Sequence, residues 1–349
     1  MKLKKIWYVL TGFLLVVSIF VAFWATTYYR TLMVVNLRLE SQSKAYLYIP
    51  ANATFDMVLD SLRKGNYLIH EQLFVKAAER LRCTASIKPG RYQLEEGMSN
   101  KTLLRKLILG NQAPVNLVIA GNIRSYEKLA GVLAKDLEQD SLQFLSALYN
   151  TDLISSFGFD AMTFTAMFIP NTYQLYWNSS PESVLRRLHG EYEKFWNDTR
   201  KQKAEAIPLT AVQVSALASI INEETNKTDE MPRMAGVYIN RLRKNIPLQA
   251  DPTLRYALGN FSIRRVLDVY KTLESPYNTY KYTGLPPGPI CIPSIAAIDA
   301  VLNYEQHEYL YFCAKDDLSG YHAFAKTLAQ HNQNAAKYQQ MLNRNRIYR

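Results

Sequence analysis

At 349 residues, 48% of them hydrophobic, the chain is long enough for more than one domain with a sizeable core, and too apolar for a disordered protein. Its net charge of +11 comes from scattered Lys and Arg, so no nucleic-acid stripe is indicated; the charge fits either a basic face toward anionic membrane or acidic polymer, or an ordinary solvated surface. Cys83, Cys291 and Cys313 are widely spaced and form no C-x-x-C, which excludes a disulfide framework and a cysteine-based metal site while leaving room for one bridge.

In chain order the first element is the longest. After residues 1–5 (Met-Lys-Leu-Lys-Lys), the run Ile6 to Tyr29 carries no charge, and as a helix it would extend about 36 Å, enough to cross a bilayer. Trp7, Tyr8, Trp24, Tyr28 and Tyr29 stand near its ends, where interfacial aromatics belong. A cleaved signal peptide would have a shorter apolar core and a small-residue cleavage site, and the length of the run also disfavours a buried soluble helix. The expectation is an uncleaved single-pass anchor, 6–29, in the cytoplasmic membrane. Lys2, Lys4 and Lys5 would stay inside and the rest would face the periplasm or outer side.

From Ser41 to about Gln112 the elements are short. "AYLYIP" alternates like a strand, and "TFDMVLDSLRKGN" predicts a helix ending near Gly65. "EQLFVKAAERL" predicts a second helix, "GRYQL" a strand opened by Gly90, and "NKTLLRKLILG" a helix with Asn100 as N-cap and Gly110 as stop. With the juxtamembrane linker this makes a small α+β module over 30–112. "VNLVIAG" then predicts a strand that begins a larger mixed α+β region, 113–349.

Within that region, Thr210 and Gln213 have the spacing of a capping box, which starts a helix at Thr210. On a 3.6-residue period, Val214, Leu217, Ile220 and Ile221 form one apolar stripe, and Glu224 falls on it. Glu223 points away and is expected to be solvated; Asn222 lies to one side. A carboxyl on an apolar stripe is costly to ionise, which raises its pKa toward that of a general acid. From periodicity alone, the favoured reading of Glu224 is a partly buried glutamate held by Arg241 or Arg243 of the following helix.

The motifs that follow are "ETNKTDEMPRMAGVYINRL", "LQADPT" (248–253), "SPYNTYKYTGLPPGPICIP" (275–293), "YLYFCAK" (309–315) and "YHAFAKTLAQHN" (321–332). In this order and at this spacing they resemble the YceG-like family of endolytic murein transglycosylases, from about Val115 to about Tyr338. The module of 30–112 resembles, more weakly, the LysM-like subdomain these proteins carry, and the single anchor is their layout. The resemblance implies that Glu224 is the catalytic acid. The first glutamate of the family's segment falls where this chain has Asn222, and the family often has lysine at Glu223.

For the remaining motifs, residue type supplies a physical use. Gln249, Asp251, Tyr277, Asn278 and Tyr280 have the amides, carboxylate and aromatic faces that bind sugar hydroxyls and N-acetyl groups, although Asp251-Pro252-Thr253 also fits a turn or cap and Tyr280 the core. "GLPPGPI" predicts a stiff loop along the cleft. Phe168 to Tyr173 resembles a family segment that would form another wall. His322 and His331 lack metal-ligand spacing and read as structural, and no cofactor motif is present.

The implied reaction is lytic cleavage of the β-1,4 bond between N-acetylmuramic acid and N-acetylglucosamine. It leaves a 1,6-anhydro end on nascent glycan strands and helps to set their length near peptidoglycan synthases. Peptidoglycan and the membrane are thus the expected partners, with no nucleic acid, metal or cofactor. Two rivals stay open: a hydrolytic muramidase with the same acid, and a non-catalytic wall-binding scaffold.

Overall fold

The computed structural model describes residues 2–39, 44–263 and 266–345, so the expected module start at Ser41 lies outside the described residues. Helix and sheet are mixed throughout, as the composition and pattern predict. The chain forms two compact units: one comprises residues up to Val115 with Asp136–Glu138 and Gln174–Ser179, and the other comprises the remainder.

In the first unit, helix α1 (Lys2–Leu32) is long and apolar enough to cross a membrane, and its apolar stretch is unburied. It is followed by strand β1 (Lys44–Ile49), helices α2 (Phe55–Lys64) and α3 (Glu71–Arg80), strand β2 (Gly90–Glu95) and helix α4 (Asn100–Leu109). The two strands pair antiparallel from Lys44↔Glu95 to Ile49↔Gly90. Their alternation turns Leu47, Ile49, Tyr92 and Leu94 inward onto Leu62, Phe74 and Leu103, and Leu32 at the end of α1 joins the same core.

Two sequence expectations for α4 divide. Gly110 closes the helix in the left-handed conformation at φ 74°, a backbone angle that suits glycine, as expected. The N-cap, however, is Ser99, whose hydroxyl accepts from the Thr102 N–H. Asn100 lies one position inside the helix and is fully buried, donating to the Thr31 carbonyl at 2.9 Å and accepting from Asn36 Nδ2 at 2.7 Å. A hydroxyl in the cap frees the amide to tie α4 to the end of α1.

Strand β3 (Val115–Ile119) pairs with β4 (Asn171–Leu175) in a two-stranded sheet. Between them run α5 (Tyr126–Ala134), α6 (Ser141–Leu148) and α7 (Thr151–Ser156). After β4 come α8 (Pro181–Phe195), α9 (Asp198–Ala206), α10 (Ala211–Glu224), α11 (Met231–Arg243), α12 (Asp251–Ala257) and α13 (Ile295–Leu302), then a hairpin of β5 (Tyr311–Ala314) and β6 (His322–Ala325), and α14 (Leu328–Arg344).

The core of the second unit gathers around α10. Residues Val214 to Asn222 are all buried, with α11 and α13 packed against this helix. The apolar stripe predicted on one face is thus part of a helix covered nearly all round. Small residues make this possible: Ser215, Ala216, Ala218 and Ser219 let neighbours approach, and Ser219 returns its hydroxyl proton to the Ala216 carbonyl while accepting from the Ile290 N–H.

Candidate active site

The capping box at Thr210 and Gln213 is present in both directions and sets the phase of α10. The helix stops at Glu224 because Thr225 turns to extended backbone, φ −143° and ψ 145°. The two adjacent glutamates are therefore delivered from the last turn in different directions.

Glu223 is not solvated, contrary to expectation. Its carboxylate takes two parallel hydrogen bonds from Arg124, at 2.7 and 2.8 Å, and its side chain is only 9% exposed. A bidentate guanidinium makes such burial tolerable, and Arg124 lies too far away in sequence for periodicity to reveal it. Asn222 is engaged as well: its Nδ2 donates to Asn122 Oδ1 at 2.5 Å and its Oδ1 accepts from the Ser294 N–H at 3.1 Å.

Glu224 instead lines a cavity of about 380 Å³, shared with Tyr238, Arg241, Leu248, Gln249, Asp251, Arg255, Tyr280, Tyr311, Phe312 and His331. Neither Arg241 nor Arg243 holds it. Its partner is the Tyr238 hydroxyl, which donates to Oε1 at 3.1 Å. Burial pushes the Glu224 carboxyl up from its ordinary 4.5 to about 7, and the nearby negative charge of Asp251 adds to the rise. The Tyr238 hydrogen bond and the Arg255 charge oppose it and lose. The position at the helix C-terminus, where carbonyl dipoles gather, also disfavours negative charge.

Arg241 is buried at the cavity and, among the described residues, forms no ion pair with a carboxylate. Its Nε and Nη1 donate to the carbonyls of Pro247 and Leu310 at 2.9 and 3.0 Å, and its Nη2 to Gln249 Oε1 at 2.6 Å. This clamp holds Gln249 with φ at 53°, a left-handed angle that a side chain other than glycine's adopts at some strain. The Gln249 N–H bonds the Thr279 carbonyl at 3.0 Å, and Thr279 Oγ1 accepts from the Ala250 N–H, also at 3.0 Å. The two motif loops are thereby stapled together, and Tyr280 donates its hydroxyl proton to Asp251 at the start of α12.

Of the residues expected at the cleft, Glu224, Gln249, Asp251 and Tyr280 line one cavity, whereas Tyr277 and Asn278 lie outside its lining. Asn278 is fully buried; its amide donates to the carbonyls of Lys271 and Leu273, and its Oδ1 accepts from the N–H groups of Tyr280 and Lys281. It shapes the turn that presents Tyr280. Tyr277 is buried against Tyr256, with ring centroids 4.7 Å apart. Phe168 and Tyr173 are likewise buried, with the Tyr173 hydroxyl turned back to the Ile169 carbonyl, while Asn171 and Thr172 between them are exposed; none of this segment lines the Glu224 cavity. The "GLPPGPI" loop is pinned at Gly288, where a Cβ would stand 1.9 Å from the Met162 carbonyl oxygen.

Sequence reasoning did not find Tyr238, Arg255, Tyr311 or Phe312. Arg241, expected as a partner for Glu224, and His331, expected to be structural, both line the cavity. His331 stacks on Tyr311 at 5.5 Å in the cavity, and burial lowers its pKa. His322 donates from Nδ1 to the buried Glu230 at 2.7 Å, as a structural histidine does. No cluster of three metal-ligating side chains occurs among the described residues, and the three cysteines are free.

The sequence profile of the YceG-like family matches residues 47–337. An endolytic murein transglycosylase of Bacillus subtilis is 28% identical over 318 residues, covering 86% of each chain. One from Streptococcus pneumoniae is 27% identical over 336 residues, covering 86% of this chain and 60% of that relative. In fold, the crystal structure of a YceG-like protein from Listeria monocytogenes aligns with a TM-score of 0.55 at 24% identity, over 84% of this chain and 99% of that one. The chain belongs to the YceG-like family.

Proposed function

We propose that the protein is a membrane-anchored endolytic peptidoglycan transglycosylase with Glu224 as its single catalytic acid and base. The observation that carries this reading is one carboxyl, desolvated to a pKa of about 7, at the wall of a cavity whose other polar groups suit a glycan. The names of the relatives from Bacillus subtilis and Streptococcus pneumoniae point to the same activity.

In the proposed reaction, neutral Glu224 gives its proton to the glycosidic oxygen between N-acetylmuramic acid and N-acetylglucosamine as the C1–O bond breaks. The muramoyl C6 hydroxyl then closes onto C1, and the Glu224 carboxylate takes the hydroxyl proton. The enzyme returns to its starting state and the product carries a 1,6-anhydro end. Ordinary glycosidases use a second carboxylate as nucleophile or to activate water. Here the substrate hydroxyl replaces water, so that role is not required. Asp251, its carboxyl oriented by Tyr280, steadies the positive charge that develops at C1. Gln249 and Tyr280 bind sugar; Tyr277 and Asn278 support the loop from behind. The module of 30–112, with its own core, is a LysM-like glycan-binding element, and residues 113–349 are the catalytic domain. The anchor holds that domain on the outer side of the membrane, where new strands emerge beside the synthases.

Mass spectrometry of glycan strands incubated with the protein tests the reaction. Fragments with anhydro ends are expected. Fragments heavier by one water at the new end would make the protein a hydrolytic muramidase, and uncut strands that still bind would make it a scaffold.

A further inference from the structure

Taking α1 as a membrane span, we infer that the C-terminal end of α3 is a docking surface for phospholipid headgroups on the outer leaflet. The inference starts from one side chain. The Arg80 guanidinium lies over two rings of α1, 5.9 Å from the Trp24 centroid and 5.5 Å from that of Tyr28. Counted from Ile6 at 1.5 Å per residue, Trp24 stands about 27 Å and Tyr28 about 33 Å along the helix. The hydrocarbon core of a bilayer is about 30 Å thick, so its outer boundary falls between the two rings that Arg80 covers.

The surroundings of Arg80 suit that depth. Lys76 lies one helical turn earlier on the same face, and Arg82 two residues beyond; all three are exposed and none forms an ion pair among the described residues. Between the two arginines, Leu81 is 37% exposed, an apolar side chain flanked in sequence by Arg80 and Arg82, with Glu79 also exposed in that turn. Cations over interfacial aromatics, next to an exposed aliphatic group, match a layer with phosphates above and acyl chains below. The rest of the module is positioned to hold this end in place. Asn100 ties α4 to the Thr31 carbonyl of α1, and Leu32 is buried in the module's core. The small module therefore does not hang from a loose tether; it is fixed to the anchor with its basic end at headgroup depth.

The test uses the full chain in vesicles of equal phosphatidylglycerol and phosphatidylcholine. It carries the photo-cross-linker p-benzoylphenylalanine by Leu81→p-benzoylphenylalanine or, within the span, Val21→p-benzoylphenylalanine. Irradiation should give lipid adducts at both positions, and at Leu81 the adducts should favour phosphatidylglycerol about fivefold, the preference expected for a basic cluster at an anionic surface. Combining Lys76→Gln, Arg80→Gln and Arg82→Gln should abolish that preference and leave labelling at Val21 unchanged. Adducts at Val21 without adducts at Leu81 would overturn the docking and leave the anchor standing. Absence of adducts at both positions would overturn both.

Discussion

Polar groups are buried in both units, but in different ways. In the small unit the buried amides Asn36 and Asn100 are neutral and satisfied as a pair: they hydrogen-bond each other, and Asn36 Nδ2 and Asn100 Nδ2 also reach the carbonyls of His70 and Thr31. Around Glu224 the polar groups are ionisable and lopsided, with a carboxyl held by one phenol, a buried arginine that forms no ion pair with a carboxylate among the described residues, and a second carboxyl nearby. The first pattern fixes geometry. The second raises the pKa of an acid toward neutral pH, at a cost in stability once it ionises, because a buried charge is tolerated only when well compensated.

The largest expected effect breaks the second pattern at its centre. Glu224→Gln should lower strand cleavage by at least ~10²-fold, the low end of the range for a general acid. Its effect on stability should depend on pH. The folded pKa of Glu224 is raised from 4.5 to about 7, so its ionisation opposes folding increasingly as pH rises through that window. Above pH 7 the glutamine variant should be more stable by on the order of 2–3 kcal/mol, and near pH 4 it should match the wild type. Thermal melts at the two pH values check this.

Two smaller changes sharpen the comparison because they should move the same acid in opposite directions. Asp251→Asn removes a negative charge, so the Glu224 pKa falls and the alkaline limb of the pH–rate profile shifts down. Turnover should also drop by about tenfold or more if Asp251 faces the developing charge at C1. Near-normal turnover would remove Asp251 from the mechanism. Tyr238→Phe removes the hydrogen bond that favours the carboxylate, so the alkaline limb should shift up. Shifts of the same sign in both variants would show that the two groups act through structure rather than through the charge on Glu224.

The smallest effect lies in the other unit. Asn36→Ala leaves Asn100 without one partner and should destabilise the small unit by about 1–3 kcal/mol, the usual cost of a buried unsatisfied group. The pH–rate profile should not move.

Legibility in the sequence follows the same division. Periodicity and turn chemistry placed the strands and helices of residues 44–110, including the glycine stop of α4, because those features are local. Periodicity also carried Glu224 inward, since a capping box at Thr210 fixed the phase of α10. The fate of Glu223 was not legible: a residue on the polar side of a helix reads as solvated until Arg124, 99 positions away, is brought against it. Asn278 failed for a related reason. Its side chain completes hydrogen bonds within its own loop, and an amide that binds backbone looks in sequence like one that binds sugar. Tyr238 and Arg255 entered the cavity from helices whose packing no spacing rule supplies.

The central claim is that the fold raises the Glu224 pKa to about 7, so that a substantial share of the carboxyl still carries its proton at neutral pH. Infrared difference titration of the wild-type protein against Glu224→Gln isolates that one carboxyl. A carbonyl band of the neutral acid that disappears with a midpoint near 7 is the predicted result; a midpoint in the ordinary range near 4.5 would contradict the account.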